Sequence, residues 1–241
     1  MKKLSIQKKL IAFCGLILIT TIGVAQTARD AVQASMFHND INTQAILQKN
    51  INKIIAANIE GTPYFDESFN SAKITPINKV FFVRYNAALD VMEVIQQSDT
   101  LVINKNNRNY VIKQNKGNIT YKILENVEAG KDEDKLGYYV QLTTGEKIKL
   151  YRKDRKKFVE SKGAAYGNIN KSSAKYKEQK SGFYIEFGDS GTAIEIPRKK
   201  KALIKLFASK EGEIKEFLKK GKIKLNKEED LIRLVNYANT L

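Results

Sequence analysis

Two dense runs of basic side chains are the residues whose chemistry is most apparent in this sequence. One run holds Arg152, Lys153, Arg155, Lys156 and Lys157, and the other holds Arg198, Lys199, Lys200 and Lys201. A clustered positive field attracts polyanions, which include nucleic acids, anionic lipid head groups and acidic polysaccharides. Aromatic residues that could stack on a ligand lie near the first run, at Tyr151, Phe158, Tyr166 and Tyr176. The two runs are therefore the candidate anion-binding residues, with an ordinary solvated surface as the alternative.

The positive charge of the chain is concentrated around these runs. The 241 residues contain 42 Lys and Arg against 26 Asp and Glu, a formal net charge of +16. Residues 152–224 carry 21 basic and nine acidic side chains, whereas residues 26–151 carry 15 and 14. No nucleic-acid-binding motif accompanies this charge. We therefore expect lipid head groups or an acidic glycan rather than nucleic acid as the anionic partner.

A serine nucleophile is a second chemistry that the residue types suggest. The tetrapeptide 188–191, Gly-Asp-Ser-Gly, is similar to the nucleophile motif of trypsin-like proteases, which need a histidine base oriented by an aspartate. The only histidine is His38, and Thr192 stands where a glycine is expected. We therefore predict a turn between two strands, and not a catalytic serine, at Ser190.

A hydrolase site is the third hypothesis. Residues 172–175 and 180–182 bring serine and lysine close together, but the comparable motifs of penicillin-binding enzymes lie much further apart in sequence. Glycoside hydrolysis needs two carboxylates about 5–10 Å apart, and Asp90 with Glu93 is one available pair. Acids are ordinary at turns such as these, so the sequence predicts no catalytic residue.

Metal and cofactor chemistry is restricted by composition. One cysteine and one histidine exclude both a disulfide framework within the chain and a Cys/His zinc site. The acidic residues 132–134 could bind a cation, but the glycine and the terminal glutamate of an EF-hand loop are missing. The sequence thus predicts no metal and no cofactor.

Arg84 has a different candidate role, because its side chain is expected on the polar face of a predicted strand. Across a tight hairpin it could face Asp90 or Glu93, where an ion pair would contribute at most about 1 kcal/mol. Alternatively, Arg84 lines a pocket for an anion.

The elements that must position these residues are mainly strands. Apolar side chains alternate in about ten short segments, at 54–59, 80–86, 89–96, 100–104, 108–113, 118–124, 137–143, 147–151, 182–187 and 192–196. This spacing predicts an antiparallel meander, sandwich or partial barrel over residues 51–196. Residues 152–180 have fewer apolar side chains, which indicates a long basic loop or an irregular hairpin.

The period of the apolar residues becomes helical after Pro197. Three short helices are expected, with apolar faces that contain Leu203 and Phe207, Ile214 and Leu218, and Leu231, Leu234, Val235 and Ala238. They should pack on one face of the strands. The expected fold class is therefore β-rich α+β, with the helices over residues 197–241.

The first 25 residues have the pattern of a signal peptide. Four lysines precede a short apolar segment, and small residues stand before a cleavage position at Gln26. No later stretch has the roughly 20 apolar residues of a membrane-spanning helix. We expect an exported protein that is periplasmic, extracellular or associated with the outer membrane, with a polar segment at 26–50.

Several short motifs carry a resemblance to a known group. They are Gly61-Thr62-Pro63-Tyr64, Phe69, Arg84-Tyr85-Asn86, Asp90-Val91-Met92-Glu93, Gly137-Tyr138-Tyr139 and Tyr237-Ala238-Asn239. In this combination the chain resembles a group of secreted Gram-negative proteins of unknown function. The resemblance covers most of residues 55–241 and implies an envelope location, with structural roles for the motifs. It implies no activity, and Ala238 stands where such relatives often have tyrosine.

These observations predict an exported protein of the cell envelope that is a non-enzymatic binding or accessory module, with an envelope protein or an anionic surface as its partner. The first alternative is a polyanion-binding protein that acts through residues 152–201. The other is a hydrolase with a carboxylate or Ser-Lys site.

Overall fold

The computed structural model describes residues 59–96, 99–130, 135–161 and 173–241. In this part of the chain ten strands precede three short helices, so the predicted β-rich α+β class is confirmed. The strands are β1 (Asn70–Thr75), β2 (Lys79–Asn86), β3 (Val91–Gln96), β4 (Asp99–Val102), β5 (Val111–Gln114), β6 (Thr120–Asn126), β7 (Leu136–Gln141), β8 (Ile148–Val159), β9 (Lys175–Phe187) and β10 (Thr192–Glu195). The helices are α1 (Lys200–Lys205), α2 (Glu211–Lys220) and α3 (Glu228–Thr240).

All ten strands belong to one sheet, in the order β10-β9-β8-β7-β6-β5-β1-β2-β3-β4. Its neighbours in this order are antiparallel, as the meander spacing predicted. The last strand, β10, also pairs in parallel with β6, where Thr192 lies beside Glu125. Because β6 to β10 thereby close on themselves, they form a small barrel, and the other five strands extend from it as an open sheet.

Each strand of the barrel contributes one side chain to its interior. These side chains are Leu124, Tyr139, Tyr151, Tyr184 and Ala193, and each is at most 1% exposed. Tyrosine suits such an interior because its ring can be buried while its hydroxyl reaches a polar partner. The Tyr151 hydroxyl donates to the buried carboxylate of Glu186 at 2.7 Å.

The three helices pack against the outside of β8 and β9. Leu150 and Ile185 of these strands belong to one buried cluster with apolar residues of all three helices, which include Leu203, Ile214, Leu218, Leu231, Leu234, Val235 and Ala238. The predicted apolar faces are therefore the buried ones. Asn239 joins α3 to the start of β8, since its Oδ1 accepts from the Ile148 N–H at 3.0 Å and its Nδ2 donates to the Ile148 carbonyl at 2.8 Å.

The prediction of a basic loop at 152–180 is wrong for residues 152–159, which belong to β8, and 175–180, which belong to β9, while residues 162–172 lie outside the described residues. β8 and β9 pair from Ile148 opposite Phe187 to Val159 opposite Lys175, with one irregularity between Lys153 and Arg155. Only the alternative, an irregular hairpin, describes these residues. Backbone hydrogen bonds and cross-strand pairs hold an antiparallel pair of strands together even where few apolar side chains are buried. Low apolar content was therefore a poor guide to a loop here.

Strand β1 was not predicted. Only Ala72 and Ile74 of its six residues are fully buried, and the residues between and around them are polar. Two buried positions form too short an alternating pattern for the strand to be predicted from the sequence. The strand nevertheless lies between β2 and β5, which supply its hydrogen bonds on both sides.

Several predictions fall on residues that the structure does not describe. These are the signal peptide at 1–25, the polar segment at 26–50, residues 54–58 of the strand predicted at 54–59, the acidic residues 132–134, and His38. Among the described helices, none combines the length and the hydrophobicity that a membrane crossing requires.

Candidate functional site

The β8–β9 hairpin carries most of the candidate anion-binding residues and presents them on two faces. Alternation along β8 places Arg155 and Lys157 on one face and Lys156 on the other. Lys157 lies directly opposite Lys177 of β9, and both side chains are exposed. Like charges in opposite positions destabilise a pair of strands. An anion bound at this face would remove that repulsion.

A groove beside the hairpin brings the two basic runs of the sequence together. It has a volume of about 660 Å³ and is lined by four cations, Arg155, Lys180, Arg198 and Lys200. The one acidic residue in its lining is Glu195. We call this space the basic groove. β8, β9 and the segment that leads from β10 into α1 supply the four cations.

The cations of the basic groove are not neutralised by carboxylates of the described residues. In the described part of the chain none of the four forms an ion pair. Arg155 is held in place by its neighbour Tyr184, whose hydroxyl accepts from Nη2 at 3.0 Å. Phe183, Ile196 and Leu225 supply an apolar part of the lining. The groove thus combines positive charge with apolar surface.

Three other cations of the first run are engaged within the protein. Arg152 donates to Asp154 and to Glu228, each at 2.8 Å. Partial burial disfavours the charged form of Arg152 and lowers its pKa. The hydrogen bonds to Asp154 and Glu228 outweigh this effect, so the pKa of Arg152 is raised. Lys156 donates to the Tyr64 carbonyl at 2.6 Å.

Lys153 is the most buried of these cations, with 8% of its side chain exposed. Burial lowers its pKa, although Nζ lies 2.7 Å from Asp90 Oδ2 and the Asp90 charge acts in the opposite direction. Lys199 and Lys201 are exposed and lie outside the lining of the basic groove, as does Lys157. Of the nine candidate residues, the groove therefore collects Arg155, Arg198 and Lys200, to which Lys180 is added.

Arg84 forms a cross-strand ion pair with Glu93, at 2.7 Å between Nη2 and Oε2. The Glu93 side chain is 3% exposed and also accepts from the Tyr64 hydroxyl at 2.9 Å and from Asn86 Nδ2 at 3.1 Å. The rings of Tyr64 and Phe69 lie 3.8 and 4.3 Å from the Arg84 guanidinium carbon. The predicted cross-strand ion pair is therefore present, and Arg84 also lines a cavity.

This second cavity, of about 560 Å³, adjoins the basic groove at Ser181 and Phe183, which line both. We call it the mixed cavity, because its lining contains both signs of charge. Arg152 lines it with its partners Asp154 and Glu228, and Lys116 lines it with Asp66, 2.7 Å away. Its aromatic lining consists of Phe65, Tyr85, Tyr121 and Phe183.

The residues considered for serine chemistry do not form a nucleophilic site in the described chain. Residues 188–191 form the predicted turn, with φ of +62° at Gly188, and the Ser190 hydroxyl lies 2.7 Å from that of Thr192. Asp189 faces Lys149 at 2.6 Å. The Ser181 hydroxyl donates to Asp154 at 2.8 Å. Among the described residues, no group of three potential ligands is arranged to hold a metal ion.

The short motifs from different parts of the sequence meet in one polar network. Asp90 Oδ1 accepts from the Tyr85 hydroxyl at 2.7 Å and from the Tyr138 N–H at 3.1 Å, and Oδ2 accepts from Lys153. A side chain at Gly137 would collide with both Lys153 and Asp90, which explains the glycine of the Gly-Tyr-Tyr motif. The sequence contained no signal for this convergence beyond the polar residues within apolar strands.

Sequence reasoning also missed Lys180, Tyr121 and Asp154, which line the groove or the cavity. Strand alternation could have suggested that Tyr121 is buried, but its place beside the cavity depends on which strands are neighbours.

The chain was compared with protein families, curated proteins and solved structures, and none of them matches it.

Proposed function

We propose that this protein is a non-enzymatic binding module of the cell envelope whose ligand is an anionic polymer, of the acidic-glycan class. One observation carries the proposal. Cations from distant parts of the sequence, Arg155, Lys180 and the pair Arg198 and Lys200, line one groove with a single carboxylate. Charge clustered in sequence would suffice for solubility, whereas convergence in space produces a local positive potential that selects an anion.

The strength of such binding depends on how many charges the ligand presents. An exposed ionic contact contributes only about 0.2–1 kcal/mol and is screened over about 8 Å at physiological salt. A ligand with one anionic group would therefore bind weakly. A polymer with a charge on successive units engages several cations at once, which favours a polymer over a small anion.

The shape of the groove favours a polymer chain over a membrane. Arg155 is only partly exposed and lies in a concavity that is also lined by Phe183 and Tyr184. A planar lipid surface reaches protruding cations more easily than those inside a concavity, while a single polysaccharide chain can lie along it. Binding to anionic vesicles is the competing outcome in the test.

The test measures retardation of the full chain during native electrophoresis in gels that contain polygalacturonate or the neutral polymer pullulan. We expect retardation by polygalacturonate alone, and less of it as salt rises. Replacing Arg155, Lys180, Arg198 and Lys200 with Gln should weaken binding at least about tenfold, since several ionic contacts are lost.

The matched control replaces Lys73, Lys79, Lys113 and Lys215, four exposed lysines outside the groove, with Gln. It removes the same charge and should retain binding. Equal loss in both quadruple variants would show that net charge, not the groove, is responsible, and the proposal would be wrong. Sedimentation with phosphatidylglycerol vesicles but no retardation by polygalacturonate would favour the membrane. Release of reducing ends from the polymer would favour a hydrolase.

A further inference from the structure

We infer that the mixed cavity is a binding subsite for a neutral sugar, so that the ligand is a polysaccharide in which neutral units accompany acidic ones. This inference rests on the proposed function, because it assigns the ligand of the adjoining basic groove. It begins from the charges of the cavity, which are already balanced within the protein.

An anion entering the mixed cavity would have to compete with a carboxylate for each cation. Arg84 is paired with Glu93, Lys116 with Asp66, and Arg152 with Asp154 and Glu228. The basic groove has the opposite character, since its four cations have no carboxylate partner among the described residues. The two spaces therefore select different chemical groups, although they share Ser181 and Phe183.

Hydroxyl groups suit the mixed cavity because they both donate and accept. Carboxylates in ion pairs keep further lone pairs that can accept a ligand hydroxyl, and the guanidinium groups offer further donors. The Tyr121 hydroxyl has no hydrogen bond to any described residue and lines the cavity. A tyrosine hydroxyl is protonated at neutral pH, and burial raises the pKa of Tyr121 further, so this hydroxyl can donate to a ligand.

The aromatic residues of the cavity complete the match. Phe65 is 49% exposed, and the rings of Tyr85 and Tyr121 lie 5.3 Å apart. A sugar ring combines a C–H face that packs on aromatic side chains with hydroxyls at its edge. The aromatic rings of the cavity can pack on the C–H face, and its planar carboxylate and guanidinium groups can bond to the hydroxyls. A ligand without hydroxyls would leave these polar groups unpaired.

The lining residues that the two spaces share set the order of units along the ligand. Ser181 and Phe183 alternate on β9 with Gly182 and Tyr184, and the first two line both spaces. A chain bound across this junction would place a neutral unit in the mixed cavity and an acidic unit in the basic groove. A homopolymer of acidic units would place a carboxylate against balanced ion pairs.

The experiment compares three hexasaccharides by isothermal titration calorimetry with the full chain. A hyaluronan hexasaccharide alternates glucuronate with a neutral N-acetylglucosamine, hexagalacturonate is acidic throughout, and chitohexaose is neutral. Charge alone favours hexagalacturonate, which carries twice as many carboxylates as the hyaluronan fragment. We expect the hyaluronan fragment to bind more tightly, because it fits both spaces.

The Tyr121→Phe variant removes one hydroxyl and preserves the ring. It should weaken binding of the hyaluronan fragment about two- to tenfold, as expected for one hydrogen bond, and leave hexagalacturonate within twofold. Tyr237→Phe removes a hydroxyl from α3 outside both spaces and should change neither. Tighter binding of hexagalacturonate, or equal effects of Tyr121→Phe on both acidic ligands, would overturn the sugar subsite.

The two proposals fail differently. If neither acidic hexasaccharide binds, or if the quadruple groove variant binds both as the native chain does, the proposed function is wrong. If hexagalacturonate binds through the groove but Tyr121→Phe has no effect on the hyaluronan fragment, only the sugar subsite is wrong. Binding of chitohexaose that Tyr121→Phe weakens would support the subsite without reference to the groove.

Discussion

Individual buried polar residues in this protein are held by several partners each, and Glu93 shows the consequence most clearly. Its carboxylate accepts from Arg84, Tyr64 and Asn86 while it is 3% exposed. Removing it would leave a partly buried cation and two further donors without their acceptor. The cost of such a loss is set by the unsatisfied groups and not by the ion pair itself.

We therefore predict that Glu93→Ala lowers the free energy of unfolding by about 3–5 kcal/mol. The control is Glu213→Ala, which breaks an exposed ion pair with Lys210 and should cost less than about 1 kcal/mol. Urea denaturation followed by circular dichroism measures both. Similar costs for the two variants would mean that the Arg84 network contributes nothing beyond an exposed pair.

The tyrosines give a prediction about pH. Burial raises the pKa of seven described tyrosines above the ordinary value of 10.0, at positions 64, 85, 121, 138, 139, 151 and 176. A group whose pKa is raised in the folded state binds more protons there than in the unfolded state. Its stabilisation is complete below pH 10 and is lost as the pH rises above that value.

Tyrosinate absorbance at 295 nm should therefore appear at higher pH in the native protein than in guanidinium. The free energy of unfolding should fall as the pH rises above 10. Coincident titrations of native and denatured protein would show that these hydroxyls are solvated. The Tyr85→Phe variant removes one of these buried hydroxyls and should reduce the difference between the native and denatured titrations.

At the scale of elements, the last helix determines how β8 is anchored. Four apolar residues of α3 are buried, and Asn239 bonds to both backbone groups of Ile148. Lys227 occupies the N-cap position of α3 without a side-chain hydrogen bond, and Asp230 accepts from the Lys224 N–H at 3.0 Å.

Leu234→Ala should cost about 2–5 kcal/mol of unfolding free energy, the usual range for a buried leucine. Leu234 is 1% exposed, so its removal leaves a cavity between α3 and the barrel. Thermal unfolding measures the loss. The neighbouring variant Arg233→Ala, on the exposed side of α3, should change the melting temperature little, and a Leu234→Ala variant as stable as this control would mean that α3 is not docked.

For the whole molecule, the prediction concerns export. Four lysines before a short apolar segment, with small residues before Gln26, indicate cleavage by signal peptidase. N-terminal sequencing of the protein from an envelope fraction should begin at or near Gln26. A chain that retains Met1 in that fraction would contradict cleavage. Replacing Ala25 with a bulky residue such as Phe should block processing and leave the longer chain.

The sequence by itself determined the class of the fold and most of its elements. Alternation over β2 and β5 and the helical period after Pro197 are local consequences of side chains that must face either the core or water. The pairing of Arg84 with Glu93 could also be predicted from the sequence, because one turn brings residues nine positions apart together.

The tertiary structure alone decided closure of the barrel and the composition of the site. The parallel pairing of β10 with β6 joins residues almost 70 positions apart, as Thr192 beside Glu125 shows, and no local pattern specifies such a partner. The same applies to Arg155 and Arg198, which meet in one groove while Lys153, two residues away from Arg155, is buried against Asp90. Local periodicity records which way a side chain faces, whereas its neighbours depend on strand order and closure, which are properties of the whole chain.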